Sequence, residues 1–90
     1  MPEAAFRVTG RVQGVGFRWW TRLQARELGI SGTVKNASDG SVEVQARGEA
    51  AALDELRRRL SSGPPSAHVD SVEPIDVDPS ASGEDFKIAR

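Results

Sequence analysis

The chain has 90 residues, 38% of them hydrophobic, no cysteine and a single histidine, His68; this fits one small domain over residues 1–90 and excludes a disulfide scaffold, a thiolate nucleophile, an iron–sulfur cluster and a Cys- or His-rich metal site. No apolar run approaches the ~20 residues that span a bilayer, and Met1-Pro2-Glu3-Ala4-Ala5 lacks the basic start and apolar stretch of a signal peptide, so a cytoplasmic protein with no membrane partner is expected. The formal net charge of -1 conceals an asymmetry: residues 1–35 carry six basic side chains against Glu3 and Glu27, and residues 61–90 carry Lys87 and Arg90 against six acidic ones, so charge argues against general nucleic-acid binding while the basic first third can attract a small anion.

Residues 5–12 alternate, with Phe6, Val8, Gly10 and Val12 on one side and Arg7, Thr9 and Arg11 on the other. This predicts a strand with one buried face. The turn Gln13-Gly14-Val15-Gly16 follows. Residues 17–28 then read as a helix that stops at Gly29. At about 100° per residue, Phe17, Trp20, Thr21, Gln24, Ala25 and Leu28 share a broad face, opposite Arg18, Trp19, Arg22 and Arg26. Ile30 to Asn36 predicts a second strand, and Asp39-Gly40 a hairpin turn into a third strand over 41–47.

A second helix is expected over 49–60, with Leu53, Leu56 and Leu60 as its apolar stripe and Ser61 to Ser66 as its breaker. Residues 68–77 predict an irregular strand in which Pro74 marks an edge or a bulge. Asp78 to Gly83 reads as a loop, and Phe86-Lys87-Ile88 as a short last strand. The order predicts an α+β, ferredoxin-like split βαβ sandwich, with an antiparallel sheet and two helices on one face.

The stretch Gly10-Arg11-Val12-Gln13-Gly14-Val15-Gly16-Phe17-Arg18 is the most informative. It leaves a strand, turns on two glycines and opens a helix. Successive backbone N–H groups in such a turn can form a nest for an anion, and a helix N-terminus adds open donors and a favourable dipole. Arg18 in the first turn can close over the same anion with a bidentate fork. The residues therefore read as a phosphate-sized oxyanion site, against the plainer alternative of a turn with no ligand. Trp19 stands where the dinucleotide fingerprint requires its third glycine, and no nucleotide P-loop pattern occurs.

Asn36 is the second candidate. An amide at the end of a strand can both donate and accept, and so orient a water; asparagine also precedes turns for local backbone reasons. Asn36-Ala37-Ser38 matches a glycosylation sequon, read here as coincidence. His68 reads as a surface residue, Arg57-Arg58-Arg59 as a solvated helix end, and the acidic residues from Asp70 to Asp78 lack calcium-loop spacing. Trp19 is placed to flank the nest, Trp20 nearer the core, and Arg22 and Arg26 as a basic surround. No metal and no cofactor are expected.

The sequence resembles the acylphosphatase family. The resemblance rests on Val12-Gln13-Gly14-Val15-Gly16-Phe17-Arg18, on Thr21, Ala25 and Leu28-Gly29-Ile30, on Gly32-Thr33-Val34-Lys35-Asn36, and on Asp39 to Val44 with Gly48 and Phe86-Lys87-Ile88. It implies hydrolysis of a carboxyl–phosphate mixed anhydride to a carboxylate and inorganic phosphate, the latter both product and inhibitor. It gives Arg18 the role of holding the phosphoryl group, Asn36 that of positioning the attacking water, and the loop amides of Gln13, Gly14, Val15, Gly16, Phe17 and Arg18 that of the phosphate cradle. Thr33 stands where many members carry an aromatic residue, which is expected to alter packing and not the reaction.

The rivals are a non-catalytic small-anion or RNA-binding module and an accessory domain of a larger maturation protein. An RNA-binding sheet needs surface aromatics, and the strands offer only Arg7, Thr9, Arg11, Glu43, Gln45 and Arg47 on their polar sides. Because the chain starts at Met1 and ends just after the last strand, a free-standing domain is expected; it is also expected to be a monomer.

Overall fold

The computed structural model of the chain describes residues 1–78 and 84–89. Its elements are β1 (Glu3–Arg11), α1 (Phe17–Glu27), β2 (Ser31–Asn36), β3 (Val42–Arg47), α2 (Ala50–Ser62), β4 (His68–Pro74) and β5 (Phe86–Ile88). One sheet runs in the order β4-β1-β3-β2-β5. β1 pairs antiparallel with β3 and with β4, and β2 antiparallel with β3, which is the expected split βαβ core. β4 is an edge strand ending at Pro74, where a missing N–H does least harm to the ladder. The register of β1 against β4 shifts between Thr9 and Gly10.

The structure adds one feature to the antiparallel expectation: β5 pairs parallel with β2, Gly32 opposite Phe86 and Val34 opposite Ile88. The reason is topological. β4 ends at the end of the sheet where β2 begins, and β5 starts from that same end, so it runs in the direction of β2. Ile75 N–H donates to the Ala5 carbonyl and Asp78 N–H to the Gln45 side chain just after β4. Beyond Asp78, the loop expected over 78–83 lies outside the described residues.

Element ends differ from periodicity by one to three residues for tertiary reasons. β1 starts at Glu3 because Glu3 and Ala4 find partners in Arg47 and Ala46. α2 runs on through Ser62, the Ser61 hydroxyl donating back to the Arg57 carbonyl, and ends at Gly63 before Pro64-Pro65.

Even-numbered residues of β1, β2 and β3 supply most of the buried face. Phe6 and Val8 stand opposite Val44 and Val42, and Val34 opposite Val44; all are buried against Phe17 and Ala25 of α1 and Leu53, Leu56 and Leu60 of α2. Burying a large aliphatic or aromatic side chain contributes about 1.5–3 kcal/mol. The same alternation carries past the core. Asn36 follows Gly32 and Val34 on the helix face of β2, and Ile88 follows Phe86 on β5. Asn36 is exposed although it shares a face with the core. No helix among the described residues is long and apolar enough to cross a membrane.

Candidate active site

The segment between β1 and α1 turns on two glycines with positive φ, Gly14 at 75° and Gly16 at 78°. An L side chain in this region costs about 1–2 kcal/mol, which is why glycine stands at both positions. Gly16 is the N-cap of α1; no side chain caps the helix and its first turn carries no acidic residue. Trp20 N–H is the first to close an intrahelical bond, to the Gly16 carbonyl at 3.0 Å. The N–H groups of Phe17, Arg18 and Trp19 precede it and have no helical acceptor. A helix N-terminus left open in this way is a site for an oxyanion.

A concavity of about 170 Å³ opens at this terminus. Gly14, Gly16, Phe17, Arg18 and Asn36 line it, together with Val12, Trp19 and Ile88. Arg18 is half-buried and forms no ion pair with a carboxylate among the described residues. Its charge therefore adds to the helix dipole in a wall that holds no acid. Arg18 and Asn36 lie 18 positions apart in the sequence, and only the β1–β3–β2 pairing brings them to the same hollow.

The side chains of Gln13 and Val15, whose backbone amides are the groups expected in the cradle, do not line the concavity. The Gln13 side chain turns away and donates to the Ala37 carbonyl at 2.8 Å and the Ser41 carbonyl at 2.9 Å. Val15 packs against the core, and its carbonyl accepts from the Ser66 hydroxyl at 2.9 Å. Both hold the loop in place from behind.

Sequence reasoning missed Ile88, whose contribution depends on the parallel register of β5. It placed Trp19 correctly at the flank: the indole is 55% exposed. Trp20 is half-buried against the core, its ring 5.5 Å from that of Phe17. Arg26 is not a free surround. It forms a two-point bond with Asp85, at 3.2 and 2.8 Å, and this fork holds the Asp85 carboxyl below the usual carboxylate range. Arg22 instead sits over the Trp19 ring, 5.2 Å from its centroid. His68 is exposed, lies 3.2 Å from Asp70 and does not line the concavity. Thr33 lies on the opposite face of the sheet, away from the concavity.

That opposite face carries a larger hollow of about 680 Å³, bordered by Arg7, Lys35, Glu43, Asp76 and Asp78. It contains none of the candidate residues, and Glu43 stands between Arg7 at 3.7 Å and Lys35 at 3.9 Å. Its mixed charges make it a poorer oxyanion site than the smaller hollow despite its volume. Among the described residues, no group of three or more His, Asp or Glu side chains is arranged to hold a metal ion.

The family profile described as Acylphosphatase matches residues 4–88. The chain belongs to the acylphosphatase family. It is 50% identical over 74 residues, 81% of each chain, to an acylphosphatase of Lactobacillus johnsonii. Its fold is similar to the crystal structure of the acylphosphatase from Bacillus subtilis, with a TM-score of 0.91 and 32% identity over the whole of both chains. It is also similar to a portion of T. kodakarensis HypF, with a TM-score of 0.85 and 28% identity, where it covers all of this chain and 12% of the other. An acylphosphatase fold thus occurs both at this length and inside a longer chain.

Proposed function

We infer that residues 1–90 form one catalytic domain that hydrolyses acyl phosphates at the concavity before α1, releasing a carboxylate and inorganic phosphate. The observation that carries this reading is the meeting of Arg18 and Asn36 with the open amides of α1 around one small hollow; family membership supplies the substrate class.

The phosphoryl oxygens sit on the backbone N–H groups of the Gly14–Arg18 turn, and the Arg18 guanidinium forks two of them. The Asn36 amide holds a water on the side away from the leaving group. The water oxygen forms a bond to phosphorus, and the bond from phosphorus to the acyl oxygen breaks. Its electron pair leaves on the carboxylate, which needs no proton at neutral pH because its pKa lies near 4. The proton of the attacking water passes to a phosphoryl oxygen of the substrate. Catalysis is then positioning plus electrostatic stabilisation of charge on the phosphoryl oxygens, and the scarcity of ionisable groups in the hollow is compatible with that division of labour.

We take the working form to be a cytoplasmic monomer acting on small acyl phosphates, with inorganic phosphate as product and inhibitor and no nucleic-acid or membrane partner. The test is benzoyl phosphate hydrolysis by the purified chain at neutral pH, with and without inorganic phosphate. Turnover inhibited competitively by phosphate is the expected result. Phosphate binding without turnover would leave a non-catalytic anion-binding module.

A further inference from the structure

The hollow that takes the phosphoryl group is too small to enclose an aromatic or extended acyl group as well. Sites that bury a drug-sized ligand measure roughly 300–1,000 Å³, against about 170 Å³ here. Such an acyl group must therefore lie across the rim. Two large apolar residues line the hollow and remain accessible, Trp19 at 55% and Ile88 at 36% exposure. The Arg22 guanidinium covers the Trp19 ring at 5.2 Å, and its Nε donates to the Phe86 carbonyl at 3.4 Å, two residues before Ile88. One arginine thus links the Trp19 ring to the strand that carries Ile88. The guanidinium contact steadies an indole that still offers apolar surface, and here it borders a hollow whose amides and Arg18 suit an anion.

We propose that Trp19, backed by Arg22 and joined by Ile88 in the wall of the same hollow, forms an apolar rim that selects acyl phosphates with an aromatic or extended apolar acyl group over those with a small one. The proposal rests on the acyl phosphate reading of the same hollow and names the substrate class within it. Trp19 acts on specificity and not on the phosphoryl group: its ring stands outside the Gly14–Arg18 amides, and the chemistry of phosphate transfer needs nothing from an indole side chain.

The experiment compares kcat/KM for benzoyl phosphate and acetyl phosphate in the native chain and in Trp19→Ala, with inhibition by inorganic phosphate measured in both. The intrinsic reactivity of each substrate cancels in the variant-to-native ratio. Trp19→Ala is expected to lower kcat/KM for benzoyl phosphate about five- to tenfold, the size of one good aromatic contact, and to change acetyl phosphate and phosphate inhibition less than about twofold. Trp19→Phe is expected to keep most of the preference. Leu23→Ala, an exposed apolar residue of the same helix outside the hollow, is expected to change none of the three.

A measurement independent of turnover is the calorimetric affinity for phenylphosphonate relative to inorganic phosphate, which is expected to fall in Trp19→Ala by the same factor. Equal losses on both substrates, or no loss on either, would overturn the proposal while leaving the acyl phosphate reading intact. Absence of turnover of both substrates by the native chain would overturn that reading and this proposal with it.

Discussion

The side-chain amide of Gln13 donates to the backbone carbonyl of Ala37 at 2.8 Å, one residue after Asn36. A second bond from the same nitrogen reaches the Ser41 carbonyl, which also accepts from Ala37 N–H at 2.8 Å. The glycine loop and the end of β2 are thereby joined directly, which adds one side-chain tie to the strand pairing that brings the Gly14–Arg18 amides and Asn36 together.

Gln13→Ala removes this strut and leaves every lining residue of the hollow in place. Two hydrogen bonds at about 1 kcal/mol each predict a modest fall in melting temperature. Loosening Asn36 relative to the cradle predicts a drop in kcat of about tenfold or more, with inhibition by inorganic phosphate changed far less. An unaltered kcat in a folded variant would show that the strut does not matter to turnover.

Arg18→Ala is expected to abolish phosphate inhibition and turnover together, lowering kcat/KM by at least about a hundredfold. Arg18→Lys keeps the charge and loses the two-point fork, so it should recover only a small part. Normal phosphate inhibition in Arg18→Ala would remove Arg18 from the anion site.

Asn36→Ala is expected to separate the two properties that Arg18→Ala removes together. Turnover should fall by about tenfold or more, while the inhibition constant for inorganic phosphate stays within about threefold. If phosphate affinity collapsed instead, Asn36 would be an anchor for the anion and not a holder of water.

Thr21 predicts a stability gain. It is fully buried in the face of α1, and its hydroxyl finds no hydrogen-bond partner among the described residues. An unpaired buried hydroxyl costs about 1–3 kcal/mol, and valine matches its shape. Thr21→Val should raise the melting temperature by about 4–8 °C for each kcal/mol recovered, without affecting kcat. A lower melting temperature would mean that the hydroxyl is satisfied.

Asp39 predicts a dependence on pH in the turn that follows Asn36. Its carboxylate accepts from the Ser41 hydroxyl at 2.6 Å and the Ser41 N–H at 3.0 Å. These bonds hold its pKa below the ordinary 3.8. A carboxyl depressed on folding stabilises the native state above its unfolded pKa, and the contribution is lost as pH falls through the folded value. Asp39→Ala should therefore lower stability at neutral pH and flatten the fall in melting temperature below about pH 4. An unchanged acid limb would exclude the turn as a contributor.

What the sequence determined by itself is the local part of this protein. Alternation predicted β1 and β3, the leucine spacing predicted α2, and Asp39-Gly40 predicted the hairpin, because short-range sterics and the burial of one face act over a few residues. The strand–glycine–helix passage around Gly14 and Gly16 was readable for the same reason: positive φ and an open helix terminus are properties of consecutive residues. The rim position of Trp19 followed from the helix wheel.

What tertiary structure decided is every meeting between distant segments. Asn36 was a candidate by type alone, and pairing of β2 with β3 carried it to the α1 terminus. Ile88 joined the wall through a parallel strand added from the far side of the sheet. The Gln13 side chain reaches the hairpin, and the Arg26 guanidinium reaches Asp85. These outcomes depend on strand register and chain crossing, which are settled when the whole buried face closes at once and leave no mark at any fixed spacing. The absence of cysteine and the single histidine restricted which chemistry was open to the chain; the fold decided which arginine and which asparagine border the hollow.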